Sequence, residues 1–344
     1  MAAAEIELTE RQQEILCRVV EEYVATGQPV GSKSLVERWS LGVSPSTVRY
    51  ELAELERLEL LTHPHTSAGR VPTDRGYRYY AGRLLEHLEP RPGVFPLDLT
   101  AGEVEAALQA TTEMLSELTH LLALVTAPPL EAAIVRHVEV LLLQPQVVMV
   151  VVITSAGGVT KRLFAFDAPV DSGLANWAGQ YLNEQLVGVQ LGTNLLRKRL
   201  EDPSLTARER EFIDTIRPAL TDVPPEEQRL FVGGAAGLLD EARADELRAY
   251  RGLLELLNRR RALLDILARA LDPRRPFVLV GDELAHPALR ELALVGAAYG
   301  LANRTLGAAS LLGPVRMDYD KAIRSVRAAA SELSRFAEDV FGEN

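Results

Sequence analysis

Apolar residues recur at helical spacing in three short segments near the start of the chain. Thr9 and Gln12 form a capping box that begins the first predicted helix, and Gly27 ends it. Its apolar positions form one stripe: Ile15, Leu16, Val19, Val20, Tyr23 and Val24. A second, short helix is predicted from Ser32. The third follows the turn 40–43, with Ser44 as N-cap and Pro45 in its first turn. This order is typical of a helix-turn-helix.

The third predicted helix divides into an apolar and a polar face. With about 3.6 residues per turn, its apolar side is formed by Val48, Leu52, Leu55 and Leu58. The opposite side carries Ser46, Arg49, Tyr50, Ala53 and Arg57. Small, hydroxylated and cationic side chains suit a helix that enters the major groove of DNA. An ordinary solvated face has a similar composition, so the helix alone leaves both interpretations open.

The segment that follows favours the DNA interpretation. Residues 60–73 contain hydroxyls, two histidines and Arg70, but no carboxylate. A β-hairpin at this place is a wing, which lies along the phosphate backbone. Over 61–85 the formal charge is +3, from four arginines against Asp74. His63 and His65 have no cysteine nearby and make a poor zinc site, so we expect no metal.

Composition limits the remaining choices. The chain has 344 residues, a formal net charge of −11 and one cysteine, Cys17. The length predicts at least two domains, and a lone thiol excludes a disulfide framework and suits the cytoplasm. The longest apolar run, 147–153, is too short to cross a bilayer. An acidic chain with a local basic patch fits a DNA-binding domain within a larger protein.

Beyond a proline-rich boundary at 90–96, the pattern changes to mixed helix and strand. A helix is predicted from a capping box at Thr100 and Glu103, and the turn 155–158 predicts a hairpin. Strands are predicted at 134–143, 146–154, 159–166, 277–281 and 305–312, and helices at 171–220, 240–271, 287–294 and 318–340. Strands on both sides of a long helical stretch predict an α+β domain with a helical insertion.

No catalytic or cofactor motif emerges. The six histidines lie in unrelated contexts without an HExxH motif, so we expect no enzyme and no cofactor. The glycine-rich run 233–237 lacks the lysine of a P-loop, and close packing of a helix on a strand explains it better. In 313–319, Gly-Pro predicts a turn and Asp318 a cap for the last helix.

Several segments together resemble one family. They are LTERQQEIL (8–16), TGQPVGSKSL (26–35), GVSPSTVR (42–49), PHTSAGRVPTDRGYRYY (64–80) and GPVRMDY (313–319). These segments resemble the heat-inducible transcription repressor HrcA family. The resemblance implies a winged-helix domain, a GAF-like domain and an inserted dimerisation domain. It also implies a homodimer on an inverted-repeat DNA operator upstream of chaperone operons, with activity modulated by the GroE chaperonin.

The resemblance and the element pattern together predict the domain limits. The winged helix-turn-helix domain is predicted at 1–90 and a linker at 91–99. The GAF-like domain is predicted in two segments, 100–170 and 229–344, around an inserted dimerisation domain at 171–228.

The same resemblance implies the DNA-binding residues. The groove-facing set is Ser44, Ser46, Thr47 and Arg49, and the wing set is His65, Thr66, Ser67, Gly69 and Arg70. Thr73, Arg75 and Tyr77 are expected to add phosphate contacts. The chain departs from the family at Tyr50-Glu51, where an Asn-Asp pair is usual. Tyr50 therefore has two open interpretations: stacking on a sugar, or covering a neighbouring helix.

A second hypothesis is a transcription regulator that senses a small molecule in a pocket of the GAF-like domain. The sequence shows no chromophore cysteine and no charged cluster typical of a nucleotide site. Thermal stabilisation by a metabolite would distinguish such a sensor from a chaperonin-regulated repressor.

Overall fold

A computed structural model describes residues 7–39, 42–64, 69–89, 91–97, 99, 104–128, 134–154, 159–191, 193–221, 230–234, 263–267, 275–302 and 304–341. Its helices are α1 (Glu10–Thr26), α2 (Ser32–Trp39), α3 (Pro45–Arg57), α4 (Asp74–Glu86), α5 (Val104–Thr119), α6 (Ser172–Leu186), α7 (Asn194–Leu200), α8 (Ala207–Ile216), α9 (Pro218–Thr221) and α10 (Tyr319–Phe341). Its strands are β1 (Leu61–Thr62), β2 (Val71–Pro72), β3 (Leu122–Thr126), β4 (Val135–Gln144), β5 (Val147–Thr154), β6 (Val159–Ala165), β7 (Leu230–Gly233), β8 (Phe277–Val280), β9 (Leu292–Leu301) and β10 (Arg304–Pro314).

The N-terminal unit, residues 7–89, contains α1 to α4 and the short β1–β2 ladder. The backbone N–H of Gln12 donates to Thr9 Oγ1 (3.3 Å), and the backbone N–H of Thr9 donates to Gln12 Oε1 (3.1 Å). Gly27 ends α1 with a φ of 65°. Both ends of the first helix lie where the sequence predicts them, because short-range capping chemistry sets them.

The largest sheet in the described part of the chain has the antiparallel order β7-β3-β10-β9-β8. Helices α5 and α10 pack on one face, and their core continues into the N-terminal unit. The helical residues 263–267 contribute Leu263, Leu264 and Leu267 to the core on the opposite face. This mixture of helices and strands confirms the predicted α+β class.

The helix predicted at 287–294 is wrong. A single 3-10 turn, Pro287–Leu289, precedes β9, which begins at Leu292. Strand β9 pairs with β8 and β10 and is buried over most of its length, so both of its faces are apolar. In a continuous apolar run, the spacing of apolar and polar positions cannot distinguish a buried strand from a buried helix.

A second core lies between the antiparallel sheet β4-β5-β6 and helices α6 to α9. Val138, Val148 and Val150 on the inner sheet face pack with Ala178 and Leu182 of α6. This core places the three strands with the helices, whereas the predicted insert, 171–228, contains the helices alone. We call residues 134–221, whose strands and helices share this core, the insert unit.

Close packing explains the first two residues of the glycine-rich run, as predicted. A Cβ on Gly233 would lie 3.0 Å from the Thr112 carbonyl oxygen of α5. Gly234 has a φ of 82°, and a Cβ there would lie 1.8 Å from Ser116 Oγ. Residues 235–237, the Thr100–Glu103 capping box, the hairpin turn 155–158 and most of the helix predicted at 240–271 lie outside the described residues.

Within those residues, no helix is both long and apolar enough to cross a membrane.

The Cys17 thiol is expected to be unreactive in the folded protein. Burial, and then the nearby Glu21 carboxylate, raise the pKa of Cys17 to about 11. Because the folded thiol holds its proton more tightly than the unfolded one, its contribution to stability is complete below about pH 8.5 and declines toward pH 11. Alkylation by iodoacetamide at pH 8 should be slow in buffer and fast in urea. Similar rates in both would contradict this, and Cys17→Ala is the control.

Candidate nucleic-acid interface

The exposed face of α3 is the one that the sequence predicts. Val48, Leu52 and Leu55 are buried, whereas Ser46, Arg49, Tyr50 and Ala53 are exposed. The buried side packs against α1 and α2, and the polar side faces solvent. We call Ser46, Arg49, Tyr50 and Ala53 the α3 surface.

The hydroxyls at the start of α3 are used in capping. Ser44 Oγ accepts a hydrogen bond from the backbone N–H of Thr47 (3.2 Å). It also lies 2.7 Å from Ser46 Oγ and 3.0 Å from Thr47 Oγ1. Ser44 therefore stabilises the helix start as its N-cap, and its hydroxyl also contacts those of Ser46 and Thr47.

The Tyr50-Glu51 pair separates into an outward and an inward residue. Glu51 is buried, and its carboxylate accepts a hydrogen bond from Gln12 Nε2 (3.1 Å) and lies 3.6 Å from Arg11 Nη1. It therefore ties α3 to α1. Tyr50 is 64% exposed, which fits poorly with covering a neighbouring helix and leaves its ring free to stack on a ligand.

Arg49 and Arg57 lie on the same helix and differ in their partners. Arg57 donates two hydrogen bonds to Glu54 Oε2, at 3.0 and 3.1 Å. Arg49 has no ion-pair or hydrogen-bond partner among the described residues. Its guanidinium is therefore available to a base edge or a phosphate, since no carboxylate in the described part of the chain neutralises it.

The hairpin after α3 is held against the loop that precedes α2. The backbones of Val30 and Arg70 exchange two hydrogen bonds of 2.8 Å. A Cβ on Gly69 would lie 2.5 Å from the Val30 carbonyl carbon, so the role shown for Gly69 is this close backbone approach. Three predicted wing residues, His65, Thr66 and Ser67, lie outside the described residues.

Arg70 is partly buried and faces an acidic partner. Its Nη2 lies 2.8 Å from Glu56 Oε2, and only 23% of its side chain is exposed. His63 Nδ1 bonds to the other oxygen of the same carboxylate. Glu56 therefore contacts both the His63 ring and the Arg70 guanidinium at the base of the hairpin, and a phosphate would have to displace it or share Arg70 with it.

Replacing Glu56 should strengthen binding to any duplex DNA. Glu56→Gln keeps the size of the side chain but removes the charge that neutralises Arg70. We expect tighter binding to all sequences. The slope of log K against log salt should become steeper by about one, as expected for one additional phosphate contact. Glu86→Gln, which makes the same charge change at the end of α4, is the control. Equal effects of the two variants, measured by anisotropy in a salt series, would contradict a specific role for Glu56.

The three residues predicted to contact phosphate at the start of α4 differ in their surroundings. Thr73 is the N-cap; it accepts from Gly76 N–H (3.2 Å) and donates to the Glu59 carbonyl (2.6 Å). Arg75 is exposed and lies 2.7 Å from Glu59 Oε2. Tyr77 is only 4% exposed and packs on Tyr319, so its predicted phosphate contact is wrong. The apolar side of α4 lies against the C-terminal sheet and not against solvent.

Comparison with known proteins decides the family. The family model for the HrcA protein C terminal domain matches residues 105–323. A heat-inducible transcription repressor HrcA from Nocardioides sp. is 36% identical over 96% of this chain and 99% of its own length. One from Streptomyces albus G is 35% identical over 94% and 97%, respectively. The chain belongs to the HrcA family. It is thereby placed among the heat-inducible transcription repressors, which confirms the resemblance found in the sequence.

A solved structure shares the HrcA-family fold seen here. A crystal structure of a hypothetical protein superposes with a TM-score of 0.62 at 22% identity, covering 97% of this chain and 98% of the other. This likeness extends through the N-terminal unit, the insert unit and the C-terminal sheet.

The acidic residues that pair with the arginines of the hairpin and of α4 were not found from the sequence. Glu56 and Glu59 meet Arg70 and Arg75, which lie 14 and 16 residues further along the chain. Helical spacing reveals partners three or four residues apart only. A group of three or more residues suited to a metal is absent from the described residues.

Proposed function

We propose that this chain is a sequence-specific DNA-binding repressor of heat-shock chaperone operons, active as a homodimer on an inverted-repeat operator. Residues 7–89 form the winged helix-turn-helix domain, with α3 in the major groove and the β1–β2 hairpin as the wing. The sheet β7-β3-β10-β9-β8 with its helices forms the GAF-like domain. One observation carries the proposal. The α3 surface is exposed, and its Arg49 has no carboxylate partner among the described residues, in a chain whose relatives are repressors.

One α3 contacts only a few base pairs, so a useful specificity requires two copies on two half-sites. The insert unit offers a surface for the second copy. The outer face of its sheet exposes large apolar side chains: Leu141, Leu143, Ile153, Val159 and Leu163. A contiguous apolar patch of this kind is typical of a protein interface.

The register of this sheet makes the face self-complementary. Glu139 on β4 and Lys161 on β6 both lie opposite Val151 of the central strand. A two-fold axis parallel to β5 would place β4 of one copy over β6 of the other. Each Glu139 then meets a Lys161 of the second copy, and each Leu141 meets a Leu163. We therefore assign the dimer contact to this sheet face and not to the helices alone.

A footprint on the promoters of the organism's own chaperone operons tests the function. The purified protein should protect an inverted repeat, with both half-sites covered at the same protein concentration. Protection of one half-site alone would contradict the dimeric arrangement. No protection at any promoter, by protein shown to be folded, would overturn the DNA-binding proposal.

The GroE chaperonin is proposed to regulate the repressor through its folding. Heat would fill the chaperonin with unfolded clients, and the unassisted repressor would leave its operators; this requires only that active and aggregation-prone forms lie a few kcal/mol apart. Adding chaperonin and ATP should raise the fraction of protein competent to bind operator, and an unfolded competitor should reverse the gain. Unchanged competence, together with a shift caused by a metabolite, would favour the small-molecule sensor instead.

A further inference from the structure

Three tyrosines form the centre of the joint between the N-terminal unit and the C-terminal sheet. Tyr77 and Tyr80 lie one turn apart on α4, and Tyr319 begins α10. Their exposed fractions are 4%, 8% and 1%. The Tyr319 ring centroid lies 6.0 Å from that of Tyr77 and 6.4 Å from that of Tyr80. The two units therefore share a packed aromatic core.

Polar contacts surround this tyrosine cluster. Arg78 Nε donates to Glu283 Oε1 (3.0 Å), and Arg327 donates to the Glu89 carbonyl (2.9 Å). Gly281, with a φ of 58°, lets the backbone approach α4 so closely that a Cβ there would lie 2.3 Å from Asp74 Oδ2. Contacts on several sides of α4 are typical of a fixed joint and not of a flexible linker.

The segment 313–319 has a larger role than the predicted turn and cap. Asp318 does cap α10, since it accepts from the backbone N–H of Lys321 (3.0 Å). Tyr319, the last residue of this segment, donates to the Val315 carbonyl (2.6 Å), and this fixes its ring between the segment and α4.

Helix α4 is in turn fixed to the end of α3. The backbone N–H of Thr73 donates to the Leu60 carbonyl (3.1 Å), just after α3. A Cβ on Gly76 would lie 2.2 Å from that same oxygen, so α4 lies directly on this backbone. A rotation of α4 on Tyr319 would therefore move α3 and the hairpin with it.

We infer that Tyr319 is a positioning residue for DNA binding, which holds α4, and through it α3, at one orientation on the C-terminal sheet. The inference rests on the proposed function. In a dimer, this fixed orientation would set the separation between the two α3 helices. Operator binding should then depend sharply on the spacing between half-sites, because both helices engage only when the separation matches.

The test compares full-length variants on operators of different spacing. Tyr319→Leu keeps an apolar side chain but removes the ring that contacts both α4 tyrosines. Tyr77→Phe is the matched control, because the buried Tyr77 hydroxyl has no hydrogen-bond partner among the described residues. The probes are the footprinted inverted repeat, the same repeat lengthened at its centre by about half a helical turn, and a single half-site.

Wild type and Tyr77→Phe should bind the lengthened repeat at least about tenfold more weakly than the natural one. Tyr319→Leu should bind the two within about threefold of each other, with unchanged affinity for the single half-site. A folded Tyr319→Leu that keeps the wild-type spacing dependence would overturn the inference. A wild type that binds no inverted repeat would instead refute the proposed function.

Hydrogen exchange provides a readout that does not depend on DNA. Amides of α4 should exchange faster in Tyr319→Leu, while those of β4 to β6 stay unchanged; equal protection of α4 would count against the joint. If Tyr319→Leu does not fold, Arg78→Gln carries both measurements, since its ion pair with Glu283 lies at the exposed edge of the same contact. A partial loss of spacing dependence is then expected, and none would overturn the inference.

Discussion

Replacing Leu163 by Asp should convert the proposed dimer to a monomer. Leu163 is 64% exposed on the outer face of the sheet β4-β5-β6, where it lies on the edge strand β6 opposite Met149 of the central strand. In the proposed two-fold arrangement, its side chain becomes buried against Leu141 of the second copy. Each dimer would then bury two unpaired carboxylates, which costs several kcal/mol. Light scattering should report half the wild-type mass at micromolar concentration.

The loss of the dimer should also weaken operator binding by about 10²–10⁴-fold, because the second half-site then binds as a separate molecule. Leu195→Asp is the matched control: Leu195 is 53% exposed on α7, away from the sheet face. That variant should stay dimeric. A dimeric Leu163→Asp would contradict the assignment of the interface.

Exchanging the charges tests the two-fold geometry itself. Lys161→Glu and Glu139→Lys should each weaken the dimer. Either change makes residues 139 and 161 carry the same charge, and the two-fold axis brings two such repelling pairs into the interface. The double variant should recover much of the loss, because Glu139 of one copy lies against Lys161 of the other. Additive weakening in the double variant would show that the sheets pack in another orientation.

The elements that could be predicted from the sequence are those set by neighbouring residues. The capping of α1 by Thr9 and of α3 by Ser44 depends on atoms within three residues, and the structure shows both. The exposed positions of α3 followed from its apolar side alone. Local chemistry thus sufficed for the starts of these two helices and for the exposed side of α3.

Elements decided by distant contacts could not be predicted in the same way. Strand β9 is covered by α10 on one face and by the core around Leu263 and Leu264 on the other, so its apolar run carried no period. The sheet β4-β5-β6 belongs with α6 only because their side chains meet in one core. Tyr77 looked like a contact residue because nothing near it in the sequence shows that Tyr319 covers it.

Arg49→Ala should weaken operator binding by about 1–3 kcal/mol, and unequally across operator variants. The reason is the position of its guanidinium, which is exposed on the α3 surface and forms no ion pair with a carboxylate among the described residues. An arginine that donates two hydrogen bonds to a guanine loses that energy only where the guanine is present. Base substitutions at one operator position should therefore have little effect in the variant and a large effect in the wild type.

Arg57→Ala on the same helix is the control for electrostatics. Its guanidinium already binds Glu54, so its removal should change affinity little and alike for all sequences. A salt series separates the two possible roles of Arg49. A base contact leaves the slope of log K against log salt nearly unchanged, whereas a lost phosphate contact lowers it by about one. If Arg49→Ala weakens every operator variant equally and lowers the slope, Arg49 binds the backbone, and another residue of the α3 surface must contact the bases.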